Sequence, residues 1–435
     1  MRYEPHPLDP LRAALRSGER TPTELVADLR DRLDAVEGDV QAFVPETGRG
    51  DRLAREAAAL EARDDDPARR PPLFGVPVGV KDIFHVDGHR TEAGADVPAS
   101  ALTGPESAAF ERLRDAGAFL LGKTRTTEFA YFDPPATRNP NDLAHTPGGS
   151  SSGSAAAVAD GTCPLALGTQ TIGSVVRPAA FCGVVGFKPS YDRIPLDGVV
   201  PLAPSVDHVG AFTADVAGMR EAAAVLCDGW ERVDTETNPI VGVPEGPYLD
   251  QASDVALGGL EAAVDALAAA GHEVRRVPML DHVEAVNERH NRLVAAEAAL
   301  AHAEWRDAYG DRYAEETLAL LDRGESVGVD ELVDARVGRL RFREYVADRL
   351  AEAGVDLLVC PAAPGPAPEG IGDTGDPVMN LPWTHGGLPA LTVPSGRVGD
   401  LPLGLQCVAP YGADESLLAW GESLAGAVDD LGDVA

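Results

Sequence analysis

The chain has 435 residues, 44% hydrophobic and only 5% aromatic, enough to bury a large core built mainly of Ala, Val and Leu. Acidic side chains outnumber basic ones 70 to 37, a formal net charge of −33, and lysine occurs only at Lys81, Lys123 and Lys188. This balance argues against nucleic-acid binding, which needs a positive footprint, and the lack of a run of about eighteen apolar residues argues against a helical membrane span.

The opening residues MRYEPHPLDPLRAALR lack the apolar stretch of a secretion signal, which points to a cytoplasmic protein. Acidic residues are spread along the chain, with small clusters such as Asp64-Asp65-Asp66. A uniformly acidic, lysine-poor surface keeps a chain soluble by self-repulsion and suits very high salt, where screening reaches only about 3 Å at 1 M. A salt-adapted, halophilic protein is expected. Five cysteines (Cys163, Cys182, Cys227, Cys360 and Cys407) include no CxxC pair and read as buried apolar residues in a reducing compartment.

Thr21-Pro22-Thr23-Glu24 is a capping box with proline at the first helical position, and Leu25, Val26, Leu29, Leu33 and Val36 follow at helical spacing. A second helix is predicted over roughly 52–62, then a short apolar strand Val76–Val80 that ends at Lys81. Residues 107–114 predict a helix stopped at Gly117, with a strand over 118–121. The 148–190 stretch changes texture abruptly to Gly, Ser and Ala. Ile240–Val243, a long helix to about Ala270 and a strand near His272–Val274 make a β-α-β unit, hence at least partly parallel sheet. Residues 281–352 read as mostly helical, and Leu357–Val359, Ala390–Val393 and Leu403–Gln406 as strands before a last helix near 414–427. The Pro/Gly-rich 361–379 stretch is the candidate mobile loop. No repeat or long polar linker divides the chain, so one α/β domain over 1–435 is expected, with helices on both faces of its sheet.

Three motifs compete. Gly117–Thr124 fits the phosphate-loop pattern G-x4-G-K-[ST], yet its inner Ala-Phe-Leu-Leu favours a buried strand, and a helix precedes it where a strand should. Gly149-Ser150-Ser151-Ser152-Gly153 fits the G-x-S-x-G elbow, but the preceding Asn141–Gly148 reads as a loop where the elbow needs a strand. Later histidines (His208, His272, His282, His290, His302 and His385) keep a Ser-His-Asp triad open. The third match runs from Thr146 to Ser190 and places serines in two glycine-rich turns, downstream of Lys81 at a strand end.

A serine hydroxyl needs a base within hydrogen-bond reach. Lysine can be that base only when neutral, and burial lowers its pKa from about 10.4. Lys81 follows an apolar strand that would bury it, Ser150 could relay a proton to it, and Ser174 would attack. The turn Gln170–Ser174 could supply an oxyanion hole from its backbone N–H groups. Gly149, Ser151 and Gln170 are candidate substrate-binding positions.

These residues resemble the amidase signature family. Gly75-Val76-Pro77-Val78-Gly79-Val80-Lys81-Asp82 matches its lysine segment, and Ser150 and Ser174 stand 24 positions apart, as in the family. The resemblance covers nearly the whole chain, its signature core lying at about 72–230 and its last match at Leu401–Gln406. It implies a mixed, mostly parallel central sheet flanked by helices, amide hydrolysis through an acyl-enzyme, and no metal or organic cofactor. By resemblance, Ser174 is the nucleophile, Ser150 a bridging serine held by a cis peptide and Lys81 the base, with the N–H groups of Thr171, Ile172, Gly173 and Ser174 facing the oxyanion.

Gln170 replaces the family's usual acidic residue, Ile172 a common glycine, and Arg177 sits one place later than in many members. The Tyr191–Val199 segment resembles stand-alone amidases more than the glutaminase (A) subunit of tRNA-dependent amidotransferases, which is the alternative. A retired binding protein would not need the intact lysine and serines, and Cys182 lacks the Glu and Lys of a nitrilase-like site. The expected partner is a small-molecule amide, with no nucleic acid and no membrane; a homodimer is compatible with the sequence. Tyr131, Phe132 and Trp383 are candidates for the pocket wall.

Overall fold

The computed structural model describes residues 5–63, 66–235 and 237–434; Met1–Glu4 of the opening stretch and Asp64-Asp65 of the acidic cluster lie outside them. The capping box forms as expected. Thr21 Oγ1 accepts from Glu24 N–H at 3.1 Å and Glu24 Oε2 accepts from Thr21 N–H at 2.9 Å, opening helix Pro22–Val40.

The apolar segments pair into one ten-stranded sheet. Its strands are β1 (Pro77–Lys81), β2 (Phe119–Thr124), β3 (Leu165–Gln170), β4 (Val185–Lys188), β5 (His208–Thr213), β6 (Val241–Glu245), β7 (Val274–Pro278), β8 (Leu357–Pro361), β9 (Ala390–Val398) and β10 (Leu401–Val408). They lie in the order β2-β1-β3-β5-β4-β9-β10-β8-β6-β7. The sheet is mixed, with fewer parallel pairs than the resemblance implied. Parallel neighbours stand at its two ends (β2-β1-β3 and β8-β6-β7), and every pair between is antiparallel. The β6-helix-β7 unit is the β-α-β unit expected, with helix Asp254–Ala269 as its crossover.

Strands β1 to β5 and β8 are buried at every position, so both faces must be covered. Helix Ser152–Ala159 (SGSAAAVA) is itself buried all round, and its small side chains let it sit close to the sheet. No helix among the described residues is long and apolar enough to cross a membrane.

The stretch expected to be a mobile loop is pinned to the body. Arg177 Nη1 donates to Gly375 O at 2.6 Å, Gly149 N–H to Thr374 O at 3.3 Å, and Asn380 Nδ2 to Ala362 O at 2.8 Å. Its prolines and glycines shape turns whose polar groups are met by distant elements, which composition cannot reveal.

Both competing motifs dissolve. Gly117–Thr124 is mostly β2, and Lys123, 6% exposed, pairs with Asp82 at 2.7 Å. Ser151 has its hydroxyl bonded to the Thr169 backbone, and the later histidines contact no serine hydroxyl among the described residues.

Candidate active site

Strand β1 is internal, flanked by β2 and β3, so its last residue is delivered into the protein. Lys81 is fully buried there, with Nζ 2.7 Å from both Ser150 Oγ and Thr169 Oγ1. The register explains the second contact: Val80 pairs with Leu167, which brings Thr169 beside Lys81. Burial holds the Lys81 amine well below the ordinary lysine value, opposed only in part by the charge of Asp207. A neutral amine has one lone pair and two N–H groups, so it can accept from one hydroxyl and donate to the other.

Ser174 lies in the turn between β3 and helix Val176–Cys182, and is 9% exposed. Its Oγ accepts from Ser150 N–H at 3.1 Å. Every peptide bond among the described residues is trans, so the cis bond implied at Ser150 is absent. In this arrangement the amide of Ser150 meets Ser174, while its hydroxyl meets Lys81; no hydrogen bond joins the two serine hydroxyls.

Two glycines permit the approach. Gly149 has φ +62°, and a Cβ on it would come within 2.8 Å of Pro178 and 3.2 Å of Ser174 Cα. A Cβ on Gly173 would come within 2.4 Å of Asn380 Oδ1.

Gln170 and Ser151 turn away from a ligand role. Gln170 Oε1 accepts from Val175 N–H (2.8 Å) and Val176 N–H (2.9 Å), capping the helix after Ser174, and Nε2 donates to Thr384 Oγ1 at 2.8 Å. That use of the side chain accounts for an amide where the family usually has an acid: one end accepts while the other donates. Ser151 Oγ donates to Thr169 O at 3.1 Å and accepts from Thr169 N–H at 3.2 Å, stitching the first serine turn to β3.

Sequence reasoning missed Thr169 and Asp207. Asp207, nearly buried, accepts from Thr171 Oγ1 at 2.6 Å and from Leu202 and Ala203 N–H at 2.9 Å each. Burial pushes its carboxyl up and these donors pull it back. The alternation of β3 could have found Thr169; Asp207 comes from a distant segment and left no local signal.

A cavity of about 70 Å³ adjoins the site at Thr169 and Thr171, walled by Ile83, Ala130, Leu196 and Val199, with Asp207 the only charged side chain of its lining. Trp383, expected in the pocket wall, is instead core: it is fully buried and its Nε1 donates to Tyr248 Oη at 3.0 Å. Tyr131 and Phe132 pack edge to face, 4.7 Å apart, and Tyr131 Oη accepts from Arg323 at 2.9 Å. All five cysteines are free and buried, and burial raises the Cys182 thiol far from the thiolate form.

The chain belongs to the amidase family, whose model matches residues 24–418, and its mixed sheet flanked by helices is the fold of solved amidases. It is 32% identical to the A subunit of glutamyl-tRNA(Gln) amidotransferase from Chromohalobacter salexigens, over 94% of each chain. It is 33% identical to the same protein of Synechococcus sp., over 93% of this chain and 94% of that one. Among solved structures it superposes on an amidase with TM-score 0.85 and 34% identity, covering 97% of this chain and all of the other.

Proposed function

We propose that this protein is a free-standing amidohydrolase in which Ser174 attacks the carboxamide carbon and neutral Lys81 is the base, acting through Ser150. The observation carrying this reading is Lys81 Nζ, fully buried and 2.7 Å from Ser150 Oγ, whose own amide meets Ser174 Oγ at 3.1 Å. The Ser174 hydroxyl first turns from the Ser150 amide toward the Ser150 hydroxyl; as the Ser174 Oγ–carbon bond forms, its proton then passes to Ser150 Oγ and the Ser150 proton to Lys81 Nζ. Until that turn the Ser150 N–H orients Ser174 Oγ for the attack, and the N–H groups of Thr171, Ile172, Gly173 and Ser174 receive the carbonyl oxygen as the negative charge moves onto it. Collapse breaks the C–N bond, the leaving amine takes the proton back along the same path, and water repeats the cycle to free the carboxylate.

The cavity beside Thr169 supports an uncharged acyl group, since its lining has no cation to meet a carboxylate. A second reading, the glutaminase component of a tRNA-dependent amidotransferase, is favoured by the two amidotransferase relatives. Ammonia release from aliphatic, aromatic and amino-acid amides and glutamine separates the two. The isolated chain is expected to hydrolyse uncharged amides and to leave glutamine nearly untouched. Glutamine hydrolysis appearing only with charged tRNA and a partner protein would establish the second reading. The assay belongs in molar salt, because a net charge of −33 with all three lysines buried supports a salt-adapted surface.

A further inference from the structure

The Gln170–Ser174 turn is held by its carbonyl groups. His290, fully buried on helix Val283–Ala301, stands with Nε2 3.0 Å from Thr171 O. Thr384, fully buried on helix Leu381–Gly386, has one hydroxyl proton and two carbonyls in reach; Ile172 O at 2.6 Å is the nearer acceptor and Asn380 O at 3.1 Å the farther, and Gln170 Nε2 donates to the same Oγ1. The two holders come from neighbouring helices, for the ring of His385, next to Thr384, lies 5.5 Å from that of His290.

In a trans peptide group the C=O and N–H point in opposite directions. Holding Thr171 O therefore turns Ile172 N–H the other way, and holding Ile172 O does the same to Gly173 N–H. Neither N–H, nor that of Ser174, has a hydrogen-bond partner among the described residues. The carbonyl acceptor also fixes the imidazole: Nε2 carries the proton, while Nδ1 is buried without a partner. Burial lowers the His290 pKa to about 3, so the ring stays neutral and the donor stays in place through the working range.

We propose that His290 and Thr384 are positioning residues which, by gripping the Thr171 and Ile172 carbonyls, aim the N–H groups of Ile172 and Gly173 together at the carbonyl oxygen of the bound amide. The inference rests on Ser174 being the nucleophile. It assigns the oxyanion geometry to two side chains far along the chain, neither of which touches the substrate. A loop free to flip either peptide would lose a donor at the moment charge develops, which acts on the transition state rather than on substrate binding.

The test compares paired variants by steady-state amide hydrolysis and thermal melting. His290→Leu and Thr384→Val are expected to lower kcat by about 10- to 100-fold with KM within about twofold. His290→Gln keeps an N–H donor at similar reach and Thr384→Ser keeps the hydroxyl; both are expected to regain most of kcat. Near-native kcat in folded His290→Leu and Thr384→Val overturns the proposal, as does a defect confined to KM, or one that Gln and Ser fail to rescue. Should His290→Leu not fold, the Thr384 pair decides alone. Ser174→Ala assayed alongside separates the layers: full activity there would remove the nucleophile assignment itself.

Discussion

Ser174→Ala is expected to reduce amide turnover by about 10⁴-fold or more and to abolish the acyl-enzyme, because no other hydroxyl occupies its place at the head of helix Val176–Cys182. The proposed oxyanion donors and the cavity survive the change, so residual catalysis over water reports their share. The fold should tolerate it. The one side-chain bond lost is that from Ser150 N–H, worth about 1 kcal/mol. Ammonia release and intact-protein mass after mixing with substrate measure both parts. Substantial turnover or a retained acyl adduct would place the nucleophile elsewhere.

The second large effect concerns Lys81, where activity and stability should move in opposite directions. Lys81→Met is expected to bring turnover close to that of Ser174→Ala, since methionine fills the same space but cannot take a proton. In the native chain a protonated lysine cannot serve as base, so kcat/KM should fall as pH drops through the lowered Lys81 pKa. The linkage has a definite sign. Between that lowered pKa and about 10.4 the unfolded chain binds one proton more than the folded chain, so the buried lysine costs stability that grows as pH falls. Methionine removes this cost, which is about 1.4 kcal/mol for each tenfold loss of proton affinity, and forfeits two hydrogen bonds of about 1 kcal/mol each. Its stability gain over the native chain should therefore be greatest at the acid end of this window and vanish above about pH 10.4. Denaturant unfolding near pH 6 and pH 10 reads the difference; an advantage that grows with pH would contradict a neutral lysine.

Elements governed by local rules were legible. The Thr21 capping box, the apolar strand into Lys81 and the β-α-β unit at 241–278 follow from spacing alone, and the structure places them within a few residues of expectation. Of the candidate site, only the residues at a strand end or in turns with a recognisable order were legible, namely Lys81, Ser150 and Ser174, and the structure brings these three together. Asp207, His290 and Thr384 reach the same turn from separate segments, and the side chains between them and Ser174 in sequence carry no period that announces the contact. Residues 361–379 illustrate the same limit from the other side: turn-forming composition suggested motion, whereas Arg177 and Asn380 tie the stretch down. The peptide at Ser150, expected to be cis and found trans, was inherited from resemblance and had no local cause in the sequence.

The three lysines stand at the ends or within β1, β2 and β4, with exposures of 0%, 6% and 0%. The folded surface thus offers its positive charge through arginine alone and presents no lysine amine to the outside. Reagents that acylate or cross-link amines, and proteases that cut after lysine, meet these side chains only once the central sheet has come apart. Modification at Lys81, Lys123 or Lys188 is accordingly a chemical clock for opening of the core, set by the opening equilibrium and not by surface reactivity.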